Sequence, residues 1–451
     1  MRLFDGCDDE GEVPDMADAT GVAEVMLGLP GFRVIDAVES DDELVVTVET
    51  TPAPIGCPGC GVVAASHNRM PVEYRDLPAF GRPVRLVWHK RRFRCAETGC
   101  AMCTWTEVSE ALSVRCLLTR RAALACCREV GLNARPVAQM ARELGVAWHT
   151  VMNAVREYGQ PLVEDPDRVG RVRQLGVDET TWLAATREHS TKFATSLVDL
   201  ERRVVIDVVE GNAADDLGSW LDAQPHAVTG GIRVVATDLA ESYRAGLDGR
   251  IDQAIRVADP FHVVRLANRA LDTVRRRVQN RTLGHRGRKR DPLYRIRKLM
   301  LTGTERLDPG GVDRMLLGLR LGDPDGEVLG AWLAKESVRD IYLAETLDEA
   351  ELLIDKAIAG CRMDAVAEVR SLGASLARWR TEILARHATG ASNGPTEGLN
   401  LLVKKVKRAG HGFRSFANYR LRILLHAGGV SWESVYPSTP RIRGRAPHSN
   451  A

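Results

Sequence analysis

The chain has 451 residues, 44% of them hydrophobic and 27% charged, a composition that excludes a disordered polymer and allows roughly three or four domains. No run of about 18 uncharged apolar residues offers a membrane span, and the start, MRLFDGCDDEGEVPDM, lacks the basic and apolar segments of a secretory signal, so the expected location is a bacterial-type cytoplasm. The net charge of +2 hides a polarity along the chain: residues 1–50 hold 14 Asp and Glu against 2 Arg, whereas residues 265–298 hold 13 Arg and Lys against 2 Asp. Such a basic block suits the phosphates of a polyanion, with a solvated helix face as the plainer alternative.

Residues 1–25 are acidic and rich in Gly and Asp, and are expected to be disordered. FRVIDAV and ELVVTVET then alternate as a half-buried β-hairpin. Of the ten cysteines, six fall between Cys57 and Cys116. Cys57 and Cys60 form a knuckle with two residues between them, and Cys95 and Cys100, with four between them, form a second after a strand-rich stretch. Four thiolates brought together in this way suit tetrahedral zinc, and four protein ligands leave no position open for catalysis, so a bound Zn²⁺ would be structural. Unligated cysteines in a small core remain the alternative, and Cys103 either replaces Cys100 or is a separate thiol. These features define a β-rich zinc ribbon over residues 26–108.

Residues 109–160 read as helices. Val137, Met140 and Ala141 share an apolar face, Gly145 ends that helix, and Val151, Val155 and Tyr158 return at helical spacing. This is helix-turn-helix spacing, with Trp148, His149 and Asn153 on the candidate recognition helix; a helical hairpin that never touches DNA has the same spacing. Residues 161–171, with Pro, Asp and Gly, read as a linker.

From residue 172 the text becomes that of strands: LGVDETTWL, KFATSLVDL and RRVVIDVVEG. A helix near Asn212 follows, then RVVAT ending at Asp238 and IRVAD ending at Asp259. Residues 172–264 are therefore expected to form a mixed α/β domain with acids at strand ends, where such sheets place ligands. Residues 265–388 read as a mostly helical, basic insertion, residues 389–432 as the last helices of the same domain, and 433–451 as a tail.

Three acids stand out, namely Asp178 on the first strand, Asp238 at the end of a later one, and Glu397 in NGPTEGLN at the start of a basic amphipathic helix. Two hard cations, Mg²⁺ or Mn²⁺, held by such carboxylates would support in-line displacement at phosphorus with no protein nucleophile. The alternatives are local. Asp178 could form an exposed edge pair with Glu179, Asp238 could cap the following helix with Glu241 at the third position, and Glu397 could be an ordinary first-turn acid. Asp259, beside His262 and Arg265, competes for the same role.

GVDET, ATDLAESYR, VADPFHVVRLANRALDTVRR and SNGPTEGLNLLVKKVKRAGHGFRSFANYRLRILL together resemble the DDE-type insertion-sequence transposases of the ISL-three group, as do CPGCG and RRFRCAETGC followed by TWTE. The resemblance runs from about residue 26 to 431. It implies a multidomain α+β chain: zinc ribbon, helix-turn-helix, then a ribonuclease-H-like mixed α/β catalytic domain interrupted by a helical insertion. It also implies an acid triad of Asp178, Asp238 and Glu397, with Asp259, His262 and Asn400 supporting it. The implied activity is binding of terminal inverted repeats, strand cleavage and strand transfer into target DNA, using two Mg²⁺ or Mn²⁺ ions. Gly211-Asn212, where relatives commonly carry Arg, and Cys103 depart from the group's pattern without removing an acid.

Within that reading, backbone contacts to DNA are expected from Arg275, Arg276, Arg277, Arg288, Lys289 and Arg290, and from Lys404, Lys405, Lys407, Arg408 and Arg414. Two DNA ends must be handled together, so a homodimer or larger synaptic assembly is expected. The competing function is a sequence-specific DNA-binding regulator that keeps a degenerate nuclease domain.

Overall fold

The structure, a computed structural model, describes residues 16–40, 42–113 and 116–435; the acidic lead before Met16 and the tail beyond Val435 lie outside the described residues. No helix among them is long and apolar enough to cross a membrane. The chain divides into two compact units, the first comprising the described residues up to Glu164 together with 409–411 and 431–435, the second residues 165–408 and 412–430.

In the first unit, the lead expected to be disordered to residue 25 is already helical as α1 (Met16–Leu27), which packs on β1 (Phe32–Glu39). Strands β1 and β2 (Leu44–Thr50) form the expected antiparallel hairpin. Strand β2 then pairs parallel with β4 (Arg82–Arg94), which pairs antiparallel with β3 (Ala65–Ala79) and with the short β5 (Thr104–Thr106). The β3–β4 turn places Phe80 and Gly81 at φ 52° and 78°, the twist a two-residue hairpin loop prefers. Phe32, Tyr74, Leu86 and Trp88 fill the core under this sheet. Helices α2 (Arg120–Gly131), α3 (Val137–Leu144) and α4 (Trp148–Glu164) follow, with Thr119 capping α2 and Gly145 ending α3 in the left-handed conformation. The expected linker starts later than its Pro and Gly content suggests, because α4 continues through Pro161 to Glu164.

The second unit opens with the one-turn α5 (Pro166–Val169) and a five-stranded sheet. Its strands are β6 (Gln174–Leu183), β7 (Lys192–Asp199), β8 (Val204–Glu210), β9 (Val234–Thr237) and β10 (Ile255–Ala258). They lie in the order β10-β9-β6-β7-β8, with the first three parallel and β7 antiparallel to both neighbours. Helices α6 (Ala214–Asp222), α7 (His226–Thr229) and α8 (Glu241–Leu247) fill the connections around β9. Leu217, Trp220, Tyr243 and Leu247 bury one face of the sheet against Leu175, Val177, Ile206 and Val235. Strand β6 is central, so Asp178 is not part of an exposed edge pair.

A helical block leaves the sheet at Asp259 and returns at Gly390. It comprises α9 (Pro260–Leu283), α10 (Pro292–Leu301), α11 (Pro309–Gly322), α12 (Glu327–Leu343), α13 (Leu347–Met363), α14 (Ala367–Arg378) and α15 (Arg380–Thr389). Ala267, Leu271, Val274 and Val278 form the buried stripe of α9, around which α12 and α14 pack. LARWRTEILARH, which reads as one helix, is two: the chain breaks at Trp379, whose buried ring carries the Arg244 guanidinium 3.9 Å from its centroid. The break turns α15 onto β10. Helices α16 (Gly394–Ala409) and α17 (Phe416–Ala427) then return to the sheet, α17 lying on β8 with Leu421, Leu424 and Leu425 inward.

Candidate active site and zinc site

Parallel pairing sets the positions of the first two acids. Gly176 of β6 is opposite Ala236 of β9, so Asp178 and Asp238, each two residues further on, emerge side by side at the same end of the sheet. Thr237 of β9 is likewise opposite Ala258 of β10, which puts Asp259 next in the row. Asp238 does not cap a helix: α8 starts at Glu241 with Ala240 in the cap position, and Asp238 Oδ1 is buried without a hydrogen-bond partner.

Glu397 reaches the row because Gly176 leaves room for it. A Cβ at Gly176 would sit 2.2 Å from Thr396 Oγ1 and 2.8 Å from Asn393 Oδ1, so the start of α16 rests directly on β6. Asn393 fastens this seat. Its side-chain amide donates to the Val177 carbonyl at 3.2 Å, and its backbone N–H donates to Asp259 Oδ1 at 3.0 Å. Two turns on, Asn400 Nδ2 donates to Asp178 Oδ2 at 2.6 Å while the Glu179 amide donates to Oδ1 at 2.8 Å, leaving Asp178 held and only 9% exposed.

The acids face a cavity of about 1020 Å³. Asp178, Glu179, Asp238, His262 and Glu397 line it on one side. Arg265 and Arg269 from α9 and Lys404 and Lys407 from α16 bring positive charge to it. Glu397, Asn400, Leu401 and Lys404 share a wall because residues three, four and seven apart lie on one helical face. Ligand atoms of Asp259, His262 and Glu397 lie within 4.8 Å of one another. Glu397 thus sits closest to the Asp259 and His262 pair, while Asp178 and Asp238 line the same cavity beside it.

Burial raises the pKa of Asp238 to about 6, with Asp178 and Glu179 adding to the rise and His262 opposing it. Burial also raises Asp178 and Glu397; for Glu397 the nearby Asp259 adds to it, with His262 and Lys404 opposing. Unpartnered buried oxygens at Asp238 Oδ1, Asp259 Oδ2 and Asn400 Oδ1 make this a site rich in acceptors and short of donors. That donor set fits hard, oxygen-seeking divalent cations.

In the first unit, the sulfur atoms of Cys57, Cys60, Cys95 and Cys100 lie within 4.8 Å of one another. Cys57 and Cys100 are separated by 3.8 Å and Cys60 and Cys95 by 3.5 Å, close to the about 3.8 Å edge of a tetrahedron with zinc–sulfur bonds of about 2.3 Å. The Gly59 amide points at Cys57 Sγ and the Met102 amide at Cys100 Sγ, each at 3.4 Å. Burial raises the Cys57 thiol, but the amides of Gly59 and Cys60 together with the Cys95 and Cys100 thiols outweigh it and bring the pKa down to about 7. Cys103 stands outside the cluster, exposed, its carbonyl accepting from the Cys95 amide. The residues present fit zinc.

Among the expected DNA contacts, Trp148, His149 and Asn153 lie on the exposed face of α4, with Asn153 also accepting from Arg156. Arg288, Lys289, Arg290, Lys404, Lys405, Arg408 and Arg414 are exposed, whereas Lys407 is half-buried and donates to the Thr181 carbonyl. The arginine run of α9 is different. Arg275 is only 4% exposed and is bonded to Asp272 and Gln279, so it is structural and not a phosphate contact. Arg277 is held between Glu327 and Glu368, and Arg276 pairs with Asp272. Arg269 is a cavity cation missing from the sequence expectations, although its spacing from His262 and Arg265 along α9 already placed it on the cavity face.

Residues 175–423 match a family of transposases, and residues 53–100 match the zinc-finger of transposases IS204, IS1001, IS1096 and IS1165. The transposase for insertion sequence element IS1001 of Bordetella parapertussis is 25% identical over 369 residues, covering 81% of this chain and 87% of that protein. The transposase for insertion sequence element IS1557 of Mycobacterium tuberculosis (strain ATCC 25618 / H37Rv) is 28% identical over 287 residues, covering 60% of this chain and 63% of the relative, just under two thirds of its length.

Proposed function

The chain belongs to the ISL3 family of DDE transposases, and from that premise we propose that it binds the terminal inverted repeats of an insertion sequence, cleaves DNA strands at its ends and transfers them into target DNA. The observation that carries this reading is the convergence of Asp178, Asp238 and Glu397 on one cavity with unpaired carboxylate oxygen and cationic walls. Asp178, Asp238 and Glu397 would hold Mg²⁺ or Mn²⁺, with Asp259 and His262 completing the Glu397 side. Two such ions, when bound, would supply activation of the attacking oxygen and charge neutralisation at the departing one. Asn400 is a positioning residue that fixes the Asp178 carboxylate. Arg265, Arg269 and Lys404 hold the scissile strand by its phosphates, without information about base sequence.

The strand order β10-β9-β6-β7-β8, with four strands running the same way and only β7 reversed, supports a ribonuclease-H-like domain into which α9–α15 are inserted. The left-handed Gly145 between α3 and α4 supports a helix-turn-helix whose α4 presents Trp148, His149 and Asn153 to the major groove. Zinc on the four cysteines would close the small unit that carries them.

The test is cleavage of DNA bearing the element's own ends by purified protein with Mg²⁺ or Mn²⁺. Asp178→Asn is expected to lower nicking at least about a thousandfold, the scale on which metal and charge stabilisation act in a transition state, while end binding is retained. Equal nicking by both proteins would remove Asp178 from the chemistry. End binding without any metal-dependent cleavage would favour the regulator reading.

A further inference from the structure

Helices α10 and α11 pack closely because Gly318 accepts Ile296, whose Cγ2 would lie 2.6 Å from a Cβ built at that glycine. Their outer faces leave a groove of about 410 Å³. Pro292, Ile296 and Leu299 form one wall and Leu317, Gly318 and Leu321 the other, each set at the spacing of a single helical face. Leu317 is 55% and Leu321 67% exposed, so the apolar floor is open to solvent. Arg290, Arg295, Lys298 and Arg314 rim it, and none of these four makes an ion pair among the described residues. Phosphate would satisfy the rim but gain nothing from the leucines. An amphipathic helix with an acidic border would satisfy both.

The same chain carries such a helix. Along α13, Leu352, Ala359 and Met363 recur at helical spacing on the exposed side, Met363 being 87% exposed. Asp348 and Glu351 stand exposed beside Leu352, neither in an ion pair among the described residues, and make the first turns of this face acidic, while Lys356 and Arg362, also exposed, follow toward its end. The opposite face of α13, with Ala350, Ile354, Ala357 and Ile358, is packed against α12, α14 and α15. The free face therefore points away from its own fold and cannot turn back into its own groove.

We infer that the α10–α11 groove is a self-association site that receives α13 of a second copy of this chain. A two-fold axis would exchange two identical contacts, α13 of each copy in the groove of the other, and close the pair without open surface for a third. The catalytic reading is not needed for this surface, because association is measured without DNA or metal. The basic rim and the acidic first turns of α13 also give the contact a sign that can be reversed on either side.

Sedimentation of the full chain at about 1–100 µM, a range set by the affinities expected of a groove contact, reads the prediction directly. Wild type is expected to form a reversible dimer. Arg295→Glu with Lys298→Glu and Arg314→Glu is expected to weaken dimerisation at least about tenfold, as is Asp348→Lys with Glu351→Lys. All five side chains are on the surface, and circular dichroism of each variant checks that it is folded. A mixed pair joins the reversed groove to the reversed α13 in one contact and keeps the other contact wild type, so the mixture is expected to dimerise more tightly than either component alone. A monomeric wild type, a dimer indifferent to both sets of changes, or a mixture that stays monomeric would overturn the proposal. Loss of DNA affinity by the groove variant with unchanged dimerisation would overturn it too, and would assign the groove to nucleic acid.

Discussion

Asp238 is the acid whose surroundings do most to its chemistry. It has no hydrogen-bond donor on Oδ1, is largely buried, and shares the strand ends with Asp178. Its pKa of about 6 is above the ordinary carboxylate value of 3.8, so the folded chain binds a proton there more tightly than the unfolded chain. That contribution to stability is complete below the ordinary value and is lost as pH rises through about 6. Without divalent metal, Asp238→Asn should therefore be more stable than wild type at pH 7–8 by roughly 1–2 kcal/mol, with the gap closing toward pH 5. Thermal melts of both proteins in chelator across that range check it; parallel curves would mean that the carboxylate is not strained in this way. Protons and cations compete for the same oxygens, so Mg²⁺ binding should weaken over the same interval.

At the scale of elements, the active site depends on one close approach, that of α16 to β6 over Gly176. Adding a methyl there forces Thr396, Asn393 and Leu200 to move, all three lying within 2.8 Å of the added atom. Gly176→Ala should cost about 1–3 kcal/mol, as overpacking does, and should depress cleavage more than DNA binding because it shifts Glu397 relative to Asp178. Melting temperature and single-turnover cleavage read the two effects separately; an unchanged melt would contradict the packing.

These elements also mark how far the sequence could be read. Short apolar runs ending in Asp gave away β9 and β10 with their terminal acids, and the two closely spaced cysteine pairs gave away the cysteine cluster, because each of these patterns is local. The cap considered as the alternative for Asp238 fails since α8 starts three residues beyond it, a matter of where the chain turns after β9. The break at Trp379 is invisible in LARWRTEILARH, whose helical propensity is continuous; the cation that the Trp379 ring meets there, Arg244, comes from α8. Arg275 reads as a surface cation for the same reason: its neighbours in sequence are charged, and its burial is set by the helices that wrap α9.

For the whole molecule, net charge says little and the placement of unpaired cations says more. Arg275 and Arg277 spend their charge on Asp272, Glu327 and Glu368 inside the helical block, whereas Arg288, Lys289 and Arg290 stay exposed. Replacing the latter three by Ala should weaken DNA binding similarly for all sequences and reduce the salt dependence, log K against log salt, by about 0.9 for each phosphate no longer neutralised. Arg275→Ala should instead lower stability by about 1–3 kcal/mol, through the partners it leaves buried, and leave that slope unchanged. Titrations at several salt concentrations distinguish the two groups, and an altered slope for Arg275→Ala would return it to the DNA surface.

The most direct measurement is an anomalous-scattering map from crystals of the DNA-bound protein soaked in Mn²⁺. Manganese peaks are expected within coordination distance of Asp178, Asp238 and Glu397, next to a phosphate of the bound strand. Manganese seated elsewhere, with Glu397 turned out of the cavity while the DNA is in place, would contradict a metal site built from these three acids.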